Sequence, residues 1–284
     1  MIQNSQSAAY SRLDTQASHN LEVLLDYMKQ RGFDFTGYKR STVMRRVLKR
    51  MQKVEIDSYR DYIDYLELHP QEFTHLFNTL LINFTSFFRD RSVWDYLTKE
   101  IVPRIIAGKA PNEPIRVWSA GCASGEEAYT LAMVLAEALG VEQFRQRVKI
   151  YATDIDEEAL IHAIRATYNT REVTNISPTL LQKYFERTAQ SYIFRQDLRC
   201  SLVFGRHNLL EDARISHIDM LTCLNVLIYL NTETQSTILS RLYNALHDSG
   251  FLVLGEAERV RKIPTFTPVD LKQRIYTKMP SELI

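Results

Sequence analysis

The chain has 284 residues, of which 45% are hydrophobic and 24% charged, with only 9 Gly and 8 Pro. This composition excludes collagen-like, low-complexity and largely disordered proteins, and the length suffices for one large domain or two ordinary ones. The 35 Lys and Arg residues balance 34 Asp and Glu residues at a formal net charge of +1. The whole molecule therefore has no general attraction for nucleic acid or anionic lipid.

The sequence favours a cytoplasmic protein without membrane insertion. No apolar run reaches the roughly 18 residues of a membrane span, and the first residues lack the basic and apolar regions of a secretion signal. The three cysteines, Cys122, Cys200 and Cys223, form no CxxC pair, which favours a reducing compartment. Neither they nor the 7 histidines show the spacing of metal ligands, so we predict no metal site.

The first third of the chain is predicted to be helical. Residues 1–15 are polar and without periodicity, which predicts a flexible tail. Apolar residues then recur at helical spacing in four successive segments, which predicts an all-helical domain over residues 16–90. A further helix follows Asp90, a candidate N-cap, and is expected to end near Pro103 within a linker over residues 91–114. The four apolar sets are Leu21, Leu24, Leu25 and Met28, then Val43, Val47, Leu48 and Met51, then Tyr59, Tyr62, Ile63 and Leu66, and finally Phe73, Leu76, Phe77, Leu80 and Leu81.

A basic segment marks the second of these helices. Seven basic residues and no acidic ones lie between Lys39 and Lys53. The apolar stripe of the helix leaves Arg45, Arg46, Lys49, Arg50 and Lys53 on the remaining surface. A solvated helix face is the usual role of such a charge run. Its density favours a surface that steers an acidic partner. Nucleic acid ranks lower, because no aromatic platform accompanies the charge.

From residue 115 onward, strands and helices alternate, which predicts βαβ units and a mostly parallel sheet over residues 115–284. Helices are expected from about Glu126 to Leu139, after Asp156, and from about Thr232 to Leu246. Two short strands, YIF and SLVF, lie between residues 191 and 204 and are expected to form an antiparallel insert near residues 187–206. The other predicted strands are IRVWSA from 115, VKIYAT from 148, LNVLIYL from 224, FLVLGE after a stop at Gly250, and RIYTKM from 274.

A glycine loop, Gly121-Cys-Ala-Ser-Gly125, follows the first of these strands and precedes a helix that opens with Glu126 and Glu127. Proteins with α/β sheets bind ligands at such turns. The spacing matches neither GxGxxG nor GxxxxGK[ST], which disfavours a phosphate cradle. The two carboxylates favour a ligand with a neutral or cationic part nearby, such as the sulfonium and ammonium of S-adenosylmethionine. Asp154, at the end of the second strand, is a candidate acceptor for ribose hydroxyls. Taken alone, these features are equally compatible with an ordinary βα turn.

Five separated motifs follow one another along the chain: NFTSFFRD at 83–90, RVWSAGCASGEEAYTLAM at 116–133, ATDID at 152–156, HNLL at 207–210 and CLNVLIYL at 223–230. Together they resemble the CheR family of chemotaxis receptor methyltransferases, over nearly the whole chain. The resemblance implies a helical N-terminal domain joined to a class I, Rossmann-like methyltransferase domain with a small antiparallel insert. It also implies methyl transfer from S-adenosyl-L-methionine to glutamate side chains of chemoreceptors, giving glutamyl methyl esters and S-adenosyl-L-homocysteine. The expected partners are the cytoplasmic methylation helices of the receptors, and the expected oligomeric state is a monomer.

The resemblance also implies a set of site residues. Asn83, Thr85 and Arg89 are implied to approach the cofactor from the segment between the domains. The family usually reads Cys-Arg-Asn-Val where this chain has Leu224 in place of the arginine. A regulatory or adaptor protein that binds the cofactor with reduced or lost turnover is therefore an alternative, and an RNA methyltransferase is a third. The residues implied to line the cofactor from the sheet are Glu127, Asp154, Asn208, Leu209, Leu224 and Asn225.

The chemistry of the implied reaction limits what the protein must supply. A glutamate side chain has an ordinary pKa of about 4.3, so it is ionised at neutral pH and its methylation needs no general base. In-line placement and the exclusion of water are the expected catalytic devices. We predict that Arg89 holds the carboxylate of the cofactor and that Tyr229 orients the glutamate. A capping or surface ion-pair role for Arg89, and a core position for Tyr229, are the alternatives. Lys39, Arg46 and Lys49 are the predicted substrate-binding residues.

Overall fold

The computed structural model describes residues 20–258 and 266–278. The chain divides into two compact units, Met1–Ile82 with Tyr229–Asn231, and Asn83–Ile228 with Thr232–Ile284. We call them the helical unit and the sheet unit. The tail predicted for residues 1–15 lies outside the described residues. Within the described ranges, no helix has both the length and the apolar character that a membrane crossing requires.

The boundary between the units precedes the one predicted at residue 90. Segment 83–90 belongs to the sheet unit, because Phe87 and Phe88 are buried in its hydrophobic core. The ring of Phe87 meets Tyr168 edge-on, with the centroids 4.8 Å apart, and meets Phe185 at 5.6 Å. The motif NFTSFFRD is therefore anchored to the sheet unit by its aromatic residues.

The described part of the helical unit confirms the four predicted helices, α1 (residues 20–30), α2 (Arg40–Lys53), α3 (Tyr59–Leu68) and α4 (Pro70–Leu80). The apolar stripe of α2 is narrower than predicted. Leu48 is 39% exposed, whereas the other three predicted members are at most 1% exposed. Those buried members are Val43, Val47 and Met51.

The prediction that Arg50 lies on the basic surface of α2 is wrong, because Arg50 forms a buried ion pair with Glu72. Arg50 is 8% exposed and Glu72 is 4% exposed. Nε of Arg50 donates to Oε1 of Glu72 at 2.5 Å, a second bond joins Nη2 to Oε2, and the Tyr62 hydroxyl donates to Oε1 at 2.9 Å. Burial acts to raise the pKa of Glu72, but the bonds from Arg50 and Tyr62 outweigh it and the pKa is lowered. Arg50 therefore ties α2 to α4 and does not lie on the cationic surface.

The sheet unit opens with a long helical stretch formed by α5 (Arg91–Tyr96), one π-helical turn (Leu97–Ile101) and α6 (Val102–Ala107). Asp90 occupies the N-cap position as predicted, but it has a φ of +57° and its side chain makes no capping bond. The stretch also passes the predicted end at Pro103. Pro103 is the second residue of α6, directly after the π-helical turn, and the helix continues through it.

The main sheet has seven strands in the described chain, in the order β6-β2-β1-β7-β8-β10-β9. Strands β6, β2, β1, β7 and β8 are parallel to one another, and β10 is antiparallel to both β8 and β9. The order reverses at β1, which pairs with β2 on one side and β7 on the other, and ligands bind at the carboxyl ends of strands beside such a reversal. The strands of the sheet unit are β1 (Ile115–Ala120), β2 (Val148–Asp154), β3 (Thr167–Asn169), β4 (Phe185–Arg187), β5 (Ser191–Phe194), β6 (Leu202–Arg206), β7 (Ile218–Cys223), β8 (Leu246–Leu254), β9 (Phe266–Asp270) and β10 (Ile275–Lys278).

The helices of the sheet unit agree closely with the sequence pattern, but the strands around β7 and β8 do not. Strand β7 ends at Cys223, so most of the predicted strand LNVLIYL is a loop and a 3₁₀ turn. Strand β8 begins before the predicted stop at Gly250, where a Cβ would lie 2.8 Å from the Ile218 carbonyl oxygen. Glycine is needed for this close approach of two strands. The remaining helical elements are α7 (Glu126–Leu139), α8 (Val141–Arg147), α9 (Glu157–Arg165), α10 (Pro178–Tyr184), α11 (Gln196–Arg199), the 3₁₀ turn (Leu227–Tyr229), whose last residue belongs to the helical unit, and α12 (Thr232–Ala245).

The small antiparallel sheet is confirmed, but its predicted bounds near residues 187–206 are wrong. It consists of β3, β5 and β4 in that order, so it lies between residues 167 and 194. The predicted strand SLVF is part of β6, which pairs in parallel with β2 at the edge of the main sheet. The rings of Phe185 and Phe194 meet edge-on at 5.2 Å and pack the insert against the core.

Candidate functional site

The loop after β1 folds back on the end of β2. The amides of Gly121 and Cys122 both donate to the Thr153 carbonyl, at 2.8 and 3.0 Å. Gly121 has a φ of +82°, and a Cβ there would lie 2.4 Å from Cγ2 of Val226. Gly125 has a φ of +95°, and its Cβ would lie 2.8 Å from that of Ala163. Both glycines are therefore required by backbone conformation and by close packing.

Asp154 ends β2 and holds this loop in place. Its Oδ2 accepts a hydrogen bond from the Ala123 amide at 2.8 Å, and its Oδ1 accepts one from the Asp156 amide at 2.9 Å. Burial raises the pKa of Asp154, although these amides oppose the shift. Each carboxylate oxygen has more than one acceptor site, so both oxygens can also accept a hydrogen bond from a ligand hydroxyl.

Glu127 lies at the start of α7 with 6% of its surface exposed. The Ser119 hydroxyl on β1 donates to Oε1 of Glu127 at 2.8 Å, and the Thr222 hydroxyl on β7 donates to the same oxygen. Burial raises the pKa of Glu127 to about 7, against the lowering effects of the two hydroxyls and of Arg89. Neither Ser119 nor Thr222 is among the predicted site residues, and the signal for each is a polar residue inside an otherwise apolar strand.

Asn83 connects the NFTSFFRD segment to the end of β2. Its Nδ2 donates to Oδ2 of Asp156 at 2.6 Å, while Oδ1 of Asp156 caps α9 by accepting the amides of Glu158 and Ala159. Thr85, in the same segment, is half-buried. Asp156 was predicted only as the residue before a helix, and its bond to Asn83 joins residues too far apart in sequence for the motif to reveal.

Arg89 is held by its own segment. Its Nη1 donates to the Phe84 carbonyl at 2.6 Å, and its guanidinium lies 5.0 Å from the centroid of the Phe84 ring. Trp94 Nε1 donates to the Arg89 carbonyl at 2.6 Å. Phe88 has a φ of +50°, a conformation that is unusual for a bulky residue and clusters at functional sites. The charge of Arg89 lowers the pKa of Glu127, so the two side chains interact electrostatically.

The chain after β7 supplies Leu224 and Asn225. Leu224 is 8% exposed and belongs to the hydrophobic core of the sheet unit. Asn225 has a φ of +60°, is 7% exposed, and its Oδ1 is buried without a hydrogen-bond partner in the described part of the chain. Glu258 accepts the next two amides, those of Val226 and Leu227, on its Oε1. Glu258 is not among the predicted site residues, because it lies more than 30 residues beyond the amides that it binds.

Asn208 and Leu209 follow β6, and the His207 amide ties this turn to the Asp154 carbonyl at 2.9 Å. Asn208 uses its side chain locally, since Oδ1 accepts the Leu210 amide at 3.0 Å and Nδ2 donates to Glu211 at 3.0 Å. Leu209 is half-buried. The turn therefore lies beside Asp154, at the carboxyl ends of β2 and β6.

The other predicted residues lie in the helical unit. Lys39 and Lys49 have exposed side chains, and the Lys39 amide donates to the Tyr229 carbonyl at 2.9 Å. Arg46 is half-buried, donates from Nη1 to the Thr79 carbonyl at 2.8 Å, and has its pKa lowered by burial. The structure thus places all predicted cofactor residues in the sheet unit and groups Tyr229 with the predicted substrate-binding residues.

The residues of the sheet unit fit S-adenosylmethionine. Gly121 and Gly125 let the loop after β1 pack closely against Val226 and Ala163, and the unpartnered Oδ1 of Asn225 can accept a hydrogen bond. A buried carboxyl group at Glu127 suits an ammonium, Asp154 suits hydroxyls, and Arg89 suits a carboxylate. No group of three or more potential metal ligands occurs within the described ranges.

Comparison with known proteins identifies the family. The model of the CheR methyltransferase SAM-binding domain matches residues 83–275, and the model of the CheR methyltransferase all-alpha domain matches residues 19–81. The chain belongs to the CheR methyltransferase family. It is therefore a methyltransferase whose cofactor is S-adenosylmethionine, and the resemblance found in the sequence motifs is confirmed.

Curated relatives agree with this assignment. The chain is 34% identical to the chemotaxis protein methyltransferase 2 of Vibrio cholerae, with 84% of each protein covered. It is 31% identical to the chemotaxis protein methyltransferase of Escherichia coli, covering 87% of this chain and 86% of that protein. It is also 33% identical to an uncharacterized 104.1 kDa protein of Rhodobacter capsulatus, covering 86% of this chain but only 26% of the relative. The CheR region thus also occurs within a much longer protein.

Proposed function

We propose that this CheR methyltransferase transfers the methyl group of S-adenosylmethionine to glutamate side chains of chemoreceptors. The products are glutamyl methyl esters and S-adenosylhomocysteine. The observation that carries the proposal is the pair of carboxyl groups at the ligand-binding edge of the parallel sheet, with Glu127 buried and Asp154 partly buried. The names of the Vibrio cholerae and Escherichia coli relatives support a chemotaxis substrate.

The charges of Glu127 and Arg89 are opposite to those of the ammonium and the carboxylate of the cofactor. Glu127 accepts hydrogen bonds from the ammonium, and Arg89 binds the carboxylate of the same amino acid group. Asp154 accepts the ribose hydroxyls. Asn83 and Thr85 lie on the segment that carries Arg89. The residues beside Asp154 and after β7 complete the cofactor site, and they are Asn208, Leu209, Leu224 and Asn225.

The protein's own residues act mainly by placement. When bound, S-adenosylmethionine supplies a methyl group activated by its sulfonium. Because the substrate carboxylate is already ionised, no residue has to remove a proton. Tyr229 orients the glutamate by a hydrogen bond from its hydroxyl, and Arg89 fixes the cofactor. The neutral hydroxyl of Tyr229 suits the role of orienting the glutamate, since a strong ion pair to the substrate would stabilise the ground state more than the transition state.

The cationic surface of α2 recognises the receptor. Chemoreceptor methylation helices are acidic, and exposed lysines attract them by electrostatic steering. We assign Lys39, Arg46 and Lys49 to this role, with Arg46 also fixed by its bond to the Thr79 carbonyl. The enzyme acts as a monomer in the cytoplasm, which agrees with free thiols at Cys122, Cys200 and Cys223.

Transfer of labelled methyl to a soluble, acidic receptor methylation fragment tests the proposal. We expect label on the fragment that mild alkali releases as methanol, and loss of this label in Asp154→Ala and Arg89→Ala. Asp219→Ala is the matched control for Asp154, because Asp219 is likewise an aspartate of a sheet strand that accepts a backbone amide, at the opposite end of the strands. Binding of S-adenosylhomocysteine without alkali-labile label on any receptor fragment would contradict the enzymatic role and favour a regulatory one.

A further inference from the structure

The segment after β7 has a conformation that its own sequence does not favour. Asn225 has a φ of +60° and is almost fully buried. Asparagine tolerates this left-handed conformation better than most residues, but it still costs free energy relative to an extended one. Its Oδ1 is also buried without a partner among the described residues. Something outside the segment must therefore hold Asn225 in place.

Glu258 supplies one part of that support. Its Oε1 accepts the amides of Val226 at 2.8 Å and Leu227 at 3.1 Å, the two residues that follow Asn225. Glu258 is itself fixed, because its amide donates to the Gly255 carbonyl at 3.0 Å and its side chain is 1% exposed. Without this acceptor, the partly buried amide of Val226 and the buried amide of Leu227 would lose their hydrogen bonds, which costs free energy for each.

Gly255 supplies the other part. A Cβ at this position would lie 2.8 Å from Nδ2 of Asn225 and 2.9 Å from its backbone nitrogen. Gly255 directly follows β8. Because it has no side chain, Asn225 packs directly against its backbone. Any side chain at position 255 would displace Asn225 while leaving the polar groups of Asn225 itself unchanged.

We propose that Glu258 and Gly255 are positioning residues that hold Asn225 in the conformation that receives the cofactor. The inference rests on the proposed function, in which Asn225 contacts S-adenosylmethionine. Glu258 acts through the backbone of Val226 and Leu227, and Gly255 acts through direct packing. The burial of Glu258 supports a specific role, since its Oε2 has no hydrogen-bond partner in the described chain and such a group is costly to keep in a protein interior.

The affinity for S-adenosylhomocysteine, measured by calorimetry, tests the inference without requiring turnover. We expect Glu258→Ala and Gly255→Ala to weaken binding by about tenfold or more. Glu258→Gln should stay within about threefold of the wild-type affinity, because its amide oxygen can still accept both amides. Amide hydrogen exchange at Val226 and Leu227 should accelerate in Glu258→Ala and remain slow in Glu258→Gln.

Two control variants separate positioning from general loss of stability. Asp219 is 6% exposed, accepts the Arg116 amide at 2.9 Å and pairs with Lys109 at 2.9 Å, at the amino end of β7. Asp219→Ala should lower the melting temperature without changing the affinity for S-adenosylhomocysteine. Gly205→Ala places a methyl group where no heavy atom lies within 4 Å and should change neither.

The outcomes distinguish this inference from the proposed function. If Asn225→Ala loses affinity while Glu258→Ala and Gly255→Ala bind as tightly as the wild type, the positioning role is wrong and the cofactor site stands. If Asn225→Ala itself binds normally, the assignment of Asn225 to the cofactor site fails and the positioning role fails with it. Should Glu258→Ala not fold, Gly255→Ala against Gly205→Ala decides the question.

Discussion

The buried carboxyl group of Glu127 changes its protonation state near neutral pH. Burial raises its pKa to about 7, so near neutral pH it is partly protonated in the free protein. A bound ammonium favours the ionised form, which means that binding releases a proton wherever the free protein holds one. We therefore expect the affinity for S-adenosylhomocysteine to rise roughly tenfold or more as the pH increases from about 5.5 to about 7, to rise about another twofold by about pH 8, and then to level off.

Calorimetry over this pH range, repeated in buffers of different ionisation enthalpy, measures both the affinity and the proton release. Glu127→Gln removes the titrating group and should give a weaker affinity with little dependence on pH. A wild-type affinity that stays constant across the range would contradict the placement of the ammonium beside Glu127.

Leu224 replaces the arginine that the CheR pattern usually has at this position. Its side chain belongs to the hydrophobic core and is 8% exposed. We expect Leu224→Arg to lower the free energy of unfolding by about 2 kcal/mol, because a guanidinium without a partner would be desolvated there. Leu224→Met, which nearly conserves volume, should cost less than about 1.5 kcal/mol.

Chemical denaturation of both variants measures this difference, and the methyltransfer assay shows its relation to turnover. Wild-type stability in Leu224→Arg together with faster turnover would mean that the pocket accommodates an arginine and that its loss reduced the activity of this chain. Lower stability without a gain in turnover would show that the core has adapted to leucine.

At the scale of elements, α2 and α4 are joined by the buried pair of Arg50 and Glu72. Removing one member of such a pair leaves the other charge buried without a partner. We expect Glu72→Ala to destabilise the helical unit by about 3 to 5 kcal/mol, measured by amide hydrogen exchange in α2 and α4. The matched control is Glu22→Ala, which breaks the exposed pair with Arg40 and should cost less than about 1 kcal/mol. Equal effects of the two variants would contradict the structural role of the buried pair.

Elements with strong local signals could be predicted, and those defined by distant partners could not. Helix α7 follows from its apolar pattern and its glycine boundary, and the structure gives it the predicted bounds. The sequence SLVF is a good strand in either sheet, and only its pairing with β2 assigns it to the main sheet. Glycine is typical of the end of a helix, but Gly250 lies inside β8, where the close approach of β7 requires it.

The site shows the same distinction. The motifs contain Asp154, Glu127 and Arg89, because each lies beside a recognisable loop or aromatic segment. Of the residues that support them, Thr222 and Glu258 lie outside every motif, and Ser119 shares a motif with Glu127 whose spacing does not show their contact. Ser119 and Thr222 reach Glu127 from two different strands, and Glu258 reaches the chain after β7 from beyond β8. Such contacts follow from the order of strands in the sheet, which local periodicity does not reveal.

At the scale of the whole molecule, a formal net charge of +1 hides a local excess of positive charge. The exposed lysines of the α2 segment create it, whereas Arg50 is neutralised by Glu72 inside the helical unit. A receptor helix rich in glutamate should therefore be attracted to one region of an otherwise balanced surface, and the attraction should be screened by salt.

Lys49→Glu tests this steering. We expect it to raise KM for an acidic receptor fragment about fivefold or more at low ionic strength, with little change in kcat, because the substitution reverses a charge that guides encounter but does not touch the reacting atoms. The difference from the wild type should shrink at about 0.5 M salt, where the Debye length is only a few ångströms. Lys99→Glu changes another exposed lysine, in the sheet unit, and should leave KM near the wild-type value at every salt concentration. Equal effects of the two substitutions would mean that total charge, and not the α2 surface, controls binding of the receptor.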